Sequence, residues 1–422
     1  MKKMKVVIVG GGFAGIQLIR KLDENLFDIL LIDRLNHHQF QPLFYQVATS
    51  QIEPSSISFP LRNVFSERKN VQVRMTEVTA VYPDQNKIKT DIGEFDYDFL
   101  ILAMGCTTNF YGNQNICRNS FTLKTTYDAI TIRNHIITTF EKIVSASEEE
   151  REALNNLVIV GGGPTGVELA GAFAEIKRNI LPKDYKGVDF SKFNVILVEG
   201  TKNTLGNMTD ASKVESKNYL ERLGVDIRTE VFVKDYDGNI LQLSNGEFIR
   251  TKTVIWVAGV TGNTVDGLSQ EVVTRGNRIK VDRYNKVQGY QNIFAIGDLA
   301  CMSTPKYPNG HPQVANVAIN QAKLLAKNLK LLISGKQPKE YEYKDLGSMA
   351  TIGRNKAVVD LPFIHFKGYF AWVIWMFLHL MLILSVRNKL IIFINWAWAY
   401  VKKDTSLRLI LKEDKKKCTH LK

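Results

Sequence analysis

Val6-Val-Ile-Val-Gly10-Gly-Gly-Phe-Ala-Gly15 is the stretch whose reading decides the fold. Four consecutive apolar residues suit a strand buried on both faces, and Gly10, Gly12 and Gly15 match GxGxxG ahead of a helical stretch to about residue 22. Glycine is needed three times there. It allows the tight turn, the close approach of backbone to a pyrophosphate, and the packing of helix on strand, with the helix N-terminus facing the anion. The next strand, residues 28–32, ends in Asp33. That carboxylate follows Gly10 by 23 residues, near the spacing expected for a bond to a ribose hydroxyl.

The same grammar returns 151 residues later. Leu157-Val-Ile-Val160 leads into Gly161-Gly-Gly163-Pro-Thr-Gly166 and a helix of small residues through about Glu175. Its acidic strand end is Glu199, which lies 38 residues from Gly161 because residues 177–192, with Pro182 and Gly187, lengthen the crossover. A carboxylate there favours NADH, since it would repel a 2′-phosphate. Two such units suggest one that holds a flavin dinucleotide and one that docks a nicotinamide dinucleotide.

Composition narrows the remaining classes. The 422 residues are too many for one ordinary domain. Cys106, Cys117, Cys301 and Cys418 stand far apart without CxxC, which argues against a disulfide framework, a structural zinc site and a redox dithiol. No metal is expected, because His37 and His38 have no ligand partners at metal-binding spacing and HExxH is absent. The net charge of +13 suits nucleic acid or an acidic membrane surface. No nucleic-acid module signature occurs, and residues 402–422 carry eight Lys or Arg against three acids directly after the most apolar stretch, so lipid is the better partner. Glycines break the first apolar run too early for an export signal.

Near the end of the chain, Asn292-Ile-Phe-Ala-Ile-Gly297-Asp298 resembles the flavin-contacting strand of the two-dinucleotide-binding-domain flavoproteins. Ile101-Leu-Ala-Met-Gly105 and Val254-Ile-Trp-Val-Ala-Gly259 are similar to that family's two crossover strands. The resemblance implies an α/β fold of two Rossmann-like domains: a discontinuous FAD domain, 1–112 and 260–345, an inserted NADH domain, 113–259, and a C-terminal helical membrane-anchoring region, 346–422. More specifically, Asn36-His-His-Gln-Phe40-Gln-Pro-Leu-Phe-Tyr45-Gln46-Val-Ala-Thr49 and Gly310-His-Pro-Gln-Val314-Ala315-Asn316-Val-Ala-Ile-Asn320-Gln321 resemble segments of type II NADH:quinone oxidoreductases.

From that resemblance follow the site residues. Gly10, Gly12, Gly15, Asp33, Gln46, Gly105, Gly297, Asp298, Val314 and Ala315 are expected at FAD; Gly161, Gly163, Gly166, Glu168, Glu199 and Gly259 are expected at NADH. Glu168, Asn316 and Asn320 are the expected catalytic side chains, with Asn at two positions where the family usually has Gln. Glu168 has a second reading, because Thr165-x-x-Glu168 is also a capping-box pattern. The implied activity is FAD-dependent oxidation of NADH with two-electron reduction of a membrane quinone, without proton pumping. Sulfide:quinone oxidoreduction and an NADH-sensing flavoprotein akin to apoptosis-inducing factor are the alternatives.

Residues 369–386 contain no Asp, Glu, Lys or Arg, and residues 390–401 add a second, mostly apolar block. Eighteen residues is the lower edge for spanning and twelve is too short. Flanking basic residues and the tryptophans Trp372, Trp375, Trp396 and Trp398 favour helices lying at the interface, peripheral on the cytoplasmic face of the cell membrane. A single span through 369–386 and a buried helix pair, such as a homodimer interface would make, stay open.

Overall fold

A computed structural model describes residues 2–402 and 407–410. Cys418 and the basic tail, apart from Lys402 and Arg408, lie outside the described residues. The chain divides into two compact units.

The first unit comprises the described residues up to Gln39, Ser58–Thr107 and Val260–Leu346. Its centre is a five-stranded parallel sheet in the order Ile293–Ala295, Phe99–Leu102, Met4–Val9, Phe27–Asp33, Val71–Met75. Val6 pairs with Ile29 on one side and Phe99 on the other. Val6, Val7, Ile8 and Val9 are all buried, as an unbroken apolar run in a central parallel strand requires. The helices Phe13–Lys21 and Ala315–Ile333 pack on each other beside this sheet. The strand Ile293–Ala295 closes one edge although it lies almost 200 residues after its neighbour, so the unit is discontinuous in sequence.

The second unit comprises Phe40–Ile57, Thr108–Gly259 and the described residues from Gly347 onward. Its parallel sheet runs Val225–Thr229, Asn194–Glu199, Asn156–Val160, Thr253–Trp256. The helix after the second glycine turn extends over Pro164–Asn179, four residues past its expected end. An antiparallel sheet, Ser348–Thr351, Ala357–Leu361, Ile364–Lys367, precedes the helices Tyr369–Leu382 and Val386–Lys402.

Contacts divide the chain differently from the sequence-based boundaries in two places. Phe40–Ile57 joins the second unit because its helix Phe44–Ala48 packs on the helices Thr126–Ser145 and Pro164–Asn179. The C-terminal region joins it too, since Ser348–Thr351 lies on Pro164–Asn179, where Gly171 lets the backbone at Ile352 and Gly353 come close.

The single-span alternative fails among the described residues. Tyr369–Leu382 ends before Ser385, and 14 residues of helix reach roughly 21 Å, short of a hydrocarbon core of about 30 Å. No described helix is long and apolar enough to cross a membrane.

Candidate active site

In the first unit the glycine turn has the required geometry. Gly10 has φ 109°, and a side chain there would collide with the Ala103 carbonyl. A side chain at Gly15 would strike the Gly10 carbonyl, which is why helix and strand can meet only with glycine. Gly12 caps the helix Phe13–Lys21 without any side-chain hydrogen bond, and open space lies where its Cβ would be. Its amides therefore face outward to an anion.

Asp33 stands at this turn. Its Oδ2 accepts the Gly11 N–H at 2.6 Å and its Oδ1 the Leu35 N–H at 2.7 Å. Burial pushes the carboxyl up, against the lowering pull of those two amides. His38 locks the same turn by donating Nδ1–H to the Gly11 carbonyl at 3.0 Å. Burial between Phe13 and Phe59 pulls it down to about 4, so the ring is neutral.

The Gly297-Asp298 turn meets the first helix. Gly297 has φ 73°, and a Cβ there would lie 3.4 Å from that of Ala14 and 3.3 Å from that of Ala318. Buried Gln321 accepts the Gly297 N–H at 2.8 Å, Gln313 donates to the Asp298 carbonyl at 3.1 Å, and the Cys106 thiol lies 3.3 Å from Asp298 Oδ2. Gly105, with φ 65°, follows the strand Phe99–Leu102 and has its carbonyl bonded by the Asn263 N–H. Val314 is a second helix cap without a side-chain bond, so Ala315 also opens an amide-bearing N-terminus. Asn316 donates to the Lys344 carbonyl at 3.2 Å, and Asn320 donates to Asn316 Oδ1 at 2.6 Å. Two uncapped helix ends, a strand-end carboxylate and the Gly297-Asp298 turn within one unit fit the pyrophosphate and ribose of a dinucleotide.

The second unit repeats the device. Gly161 has φ 113° against the backbone of Ala258, Gly166 packs on the Gly161 carbonyl, and Gly163 is an uncapped helix start with open space beside it. Glu199 Oε2 accepts the Gly162 N–H at 2.6 Å and Oε1 the Thr201 N–H at 2.7 Å. Gly259, φ 83°, leaves no room for a side chain beside the Tyr111 hydroxyl.

Glu168 is not a cap. The helix begins at Pro164 with Gly163 as its N-cap, so the capping-box reading fails, and the carboxyl instead faces the Thr351 N–H at 3.4 Å. It is 8 % exposed, and burial pushes it up to about 8. Glu168 holds its proton at neutral pH. A chain of polar groups continues from it: Thr351 Oγ1 bonds the Tyr45 hydroxyl at 3.0 Å, Gln46 Nε2 donates to that hydroxyl at 3.0 Å, and Trp396 Nε1 donates to Gln46 Oε1 at 2.7 Å. Both ends of the Gln46 amide are thus engaged within this unit. Glu168, Gln46, Trp372, Trp375 and Trp396 line one cavity, where the Trp375 Nε1–H is buried without a partner among the described residues. Thr351 and Trp396 were not singled out from sequence for these roles. They lie 306 and 350 residues from Tyr45 and Gln46, and no local pattern announces such a contact.

The C-terminal helices bury few residues. Trp375 and Trp396 point into the unit rather than to a headgroup layer, and Asn388 ties the second helix to the carbonyls of Ser55 and Ser56. Outside, Phe370, Phe377, Leu390, Phe393 and Trp398 are exposed, and Phe363 on the preceding hairpin is 99 % exposed.

Residues 4–322 match the family described as pyridine nucleotide-disulphide oxidoreductase, and residues 346–403 match the NDH2 C-terminal domain. The type II NADH:quinone oxidoreductase Ndh of Mycobacterium tuberculosis is 34% identical over 420 residues, covering 95% of this chain and 89% of that protein. A second M. tuberculosis relative, the type II NADH:quinone oxidoreductase NdhA, is 31% identical, covering 94% and 87%. Among solved structures, NDH2 from Plasmodium falciparum in complex with NADH aligns with a TM-score of 0.90 at 22% identity, over 97% of this chain and all of that one.

Proposed function

We propose, from the premise that this chain belongs to the type II NADH:quinone oxidoreductases, that its first unit holds FAD and its second docks NADH. The enzyme oxidises NADH and reduces a quinone, and a flavin is its cofactor. The twin arrangement of an uncapped glycine turn beside a strand-end carboxylate, Asp33 with Gly11 and Glu199 with Gly162, is the observation that carries the assignment.

When bound, the flavin supplies a two-electron relay between a hydride donor and a quinone. The chain's own residues bind and orient. Gly10, Gly12, Gly15, Gly297, Asp298, Val314 and Ala315 offer amides and a carboxylate to the FAD pyrophosphate and ribityl chain, Asp33 takes the adenosine ribose, and Gly105 borders the ring. Gly161, Gly163, Gly166 and Gly259 leave room for the NADH backbone, and Glu199 accepts from its ribose hydroxyls. A carboxylate fixed by two amides cannot swing away from a 2′-phosphate, which supports NADH over NADPH.

Quinone reduction consumes protons, and Glu168 carries one at Oε at neutral pH. The lone Trp375 Nε1–H in the same cavity is a donor for a quinone carbonyl. The exposed apolar helix faces and Phe363 support a peripheral membrane position on the cytoplasmic side, where NADH is found. A homodimer would cover part of those faces, which sedimentation in detergent would reveal.

The test is the visible spectrum of the purified protein. Flavin bands should bleach with NADH and return with a soluble quinone, and acid extraction should release FAD rather than FMN. Colourless protein that takes up no added FAD would refute the reading.

A further inference from the structure

A second carboxyl, Glu175, follows Glu168 on the helix Pro164–Asn179. Seven residues make almost two full turns, so the two acids share one face of the helix, about 10 Å apart along its axis. Ala172 and Asn179 lie on that face too, and all four side chains line the cavity that Trp375 and Trp396 border.

The surroundings of the two acids differ. Glu168 is buried, and the Thr351 amide alone offsets that burial. Glu175 is half-buried. Its Oε1 accepts the Arg354 N–H at 2.7 Å, and Gly353, with φ 71°, lets the turn come close, since a Cβ there would lie 3.0 Å from the same oxygen. Burial pushes Glu175 up as well, but that amide pulls against it, together with Arg354 and Lys356 from the turn and Arg178 from its own helix. From the helix Phe44–Ala48 the cavity receives only the neutral Tyr45 hydroxyl, and from Val386–Lys402 the Tyr400 carbonyl, which takes the Arg354 guanidinium at 3.2 Å. Cations weaken the hold of Glu175 on a proton, whereas none acts on Glu168. A proton therefore runs downhill from the half-buried acid to the buried one.

Between them stands Ala172, whose methyl group leaves the cavity open. Its volume of ≈ 80 Å³ has room for several waters, each needing about 10–15 Å³, and Gln51 and Asn179 add polar partners along the wall. Oxidation of NADH by a quinone takes up one proton from solution for each quinol formed, because the other hydrogen arrives with the hydride. We propose that Glu175 is the entry point for that proton: it passes its own proton through water beside Ala172 to Glu168 and is recharged from solvent. Glu168 gives its proton to a quinone oxygen and regains it from this relay, so no net charge stays on either acid. The relay rests on the reading of Glu168 as the proton carrier.

Stopped-flow absorbance of the flavin-loaded protein separates reduction by NADH from reoxidation by menadione. Glu175→Gln keeps the acceptor for the Arg354 amide but cannot relay a proton. It should slow reoxidation about tenfold or more, increasingly as pH rises from 6 to 9, while reduction stays within about twofold of wild type. Glu175→Asp should retain most of the rate, and formate should restore it in Glu175→Ala. Ala172→Leu, which blocks the path and keeps both acids, should slow reoxidation likewise and decides the matter if the Glu175 variants do not fold. A second readout needs no turnover: on transfer to D2O, the infrared band of the protonated Glu168 carboxyl, identified by its loss in Glu168→Gln, should shift more slowly in Glu175→Gln than in wild type. Reoxidation slowed by Glu168→Gln but not by Glu175→Gln or Ala172→Leu would overturn the relay alone. Absence of the Glu168 band, or reoxidation indifferent to Glu168→Gln, would overturn the proton-carrier reading and the relay with it.

Discussion

Glu199 accepts the backbone N–H of Gly162 through Oε2 at 2.6 Å, so the acidic end of one strand is pinned to the glycine turn at the end of its neighbour. Asp33 holds Gly11 in the same way, at the same distance, across a sequence interval 15 residues shorter. The interval is free to vary because the crossover lies outside the sheet. What is conserved between the two units is the pairing of adjacent parallel strands, which always brings the strand end to the turn.

Glu199→Gln keeps an acceptor but removes the charge. The ratio of kcat/KM for NADPH to that for NADH should rise about tenfold, the effect of relieving roughly 1.4 kcal/mol of repulsion. Steady-state kinetics with both nucleotides checks this, and an unchanged ratio would mean that the carboxylate does not face the ribose.

Glu168 makes stability depend on pH. Its folded value, about 8, lies above the ordinary 4.5, so between these limits the native state keeps a proton that the unfolded chain has lost. The contribution is complete below the lower value and disappears as pH rises through the upper one, costing the wild type up to about 1.4 kcal/mol per pH unit in between. Glu168→Gln should lack this slope. Thermal melts at pH 6 and pH 9 should show the variant gaining on the wild type at the higher pH.

Gly297→Ala should cost roughly 1–2 kcal/mol, since φ 73° is a left-handed conformation and the new methyl presses on Ala14 and Ala318. The absorbance ratio at flavin and protein wavelengths should fall, because the turn that carries Asp298 is displaced.

Trp396→Phe leaves the buried Gln46 carbonyl without its indole donor, a loss of about 1–3 kcal/mol. Denaturant unfolding measures it. The KM for quinone should rise while the KM for NADH stays near the wild-type value.

Phe363→Asp combined with Phe377→Asp places charge on two exposed apolar positions. Co-sedimentation with anionic lipid vesicles should drop about tenfold or more, with NADH oxidation by a soluble acceptor unaffected. Equal sedimentation would assign these faces to a protein partner instead.

Sequence alone determined the two strand–turn–helix units, the identity of both carboxylates and the family, because each depends on local spacing: three glycines within six residues, or an acid at a strand end. The Glu168 pattern shows the limit of such reading. Thr165-x-x-Glu168 satisfies the capping-box rule, yet the N-cap falls two residues earlier, at Gly163, and the carboxyl turns to the Thr351 amide 183 residues away. Tertiary structure also decided that Phe40–Ile57 packs with the second unit and that Trp375 and Trp396 are interior. A local motif works through backbone geometry, which neighbouring residues dictate. The environment of a buried side chain is set by whichever distant segments close over it, and only the folded chain brings those together.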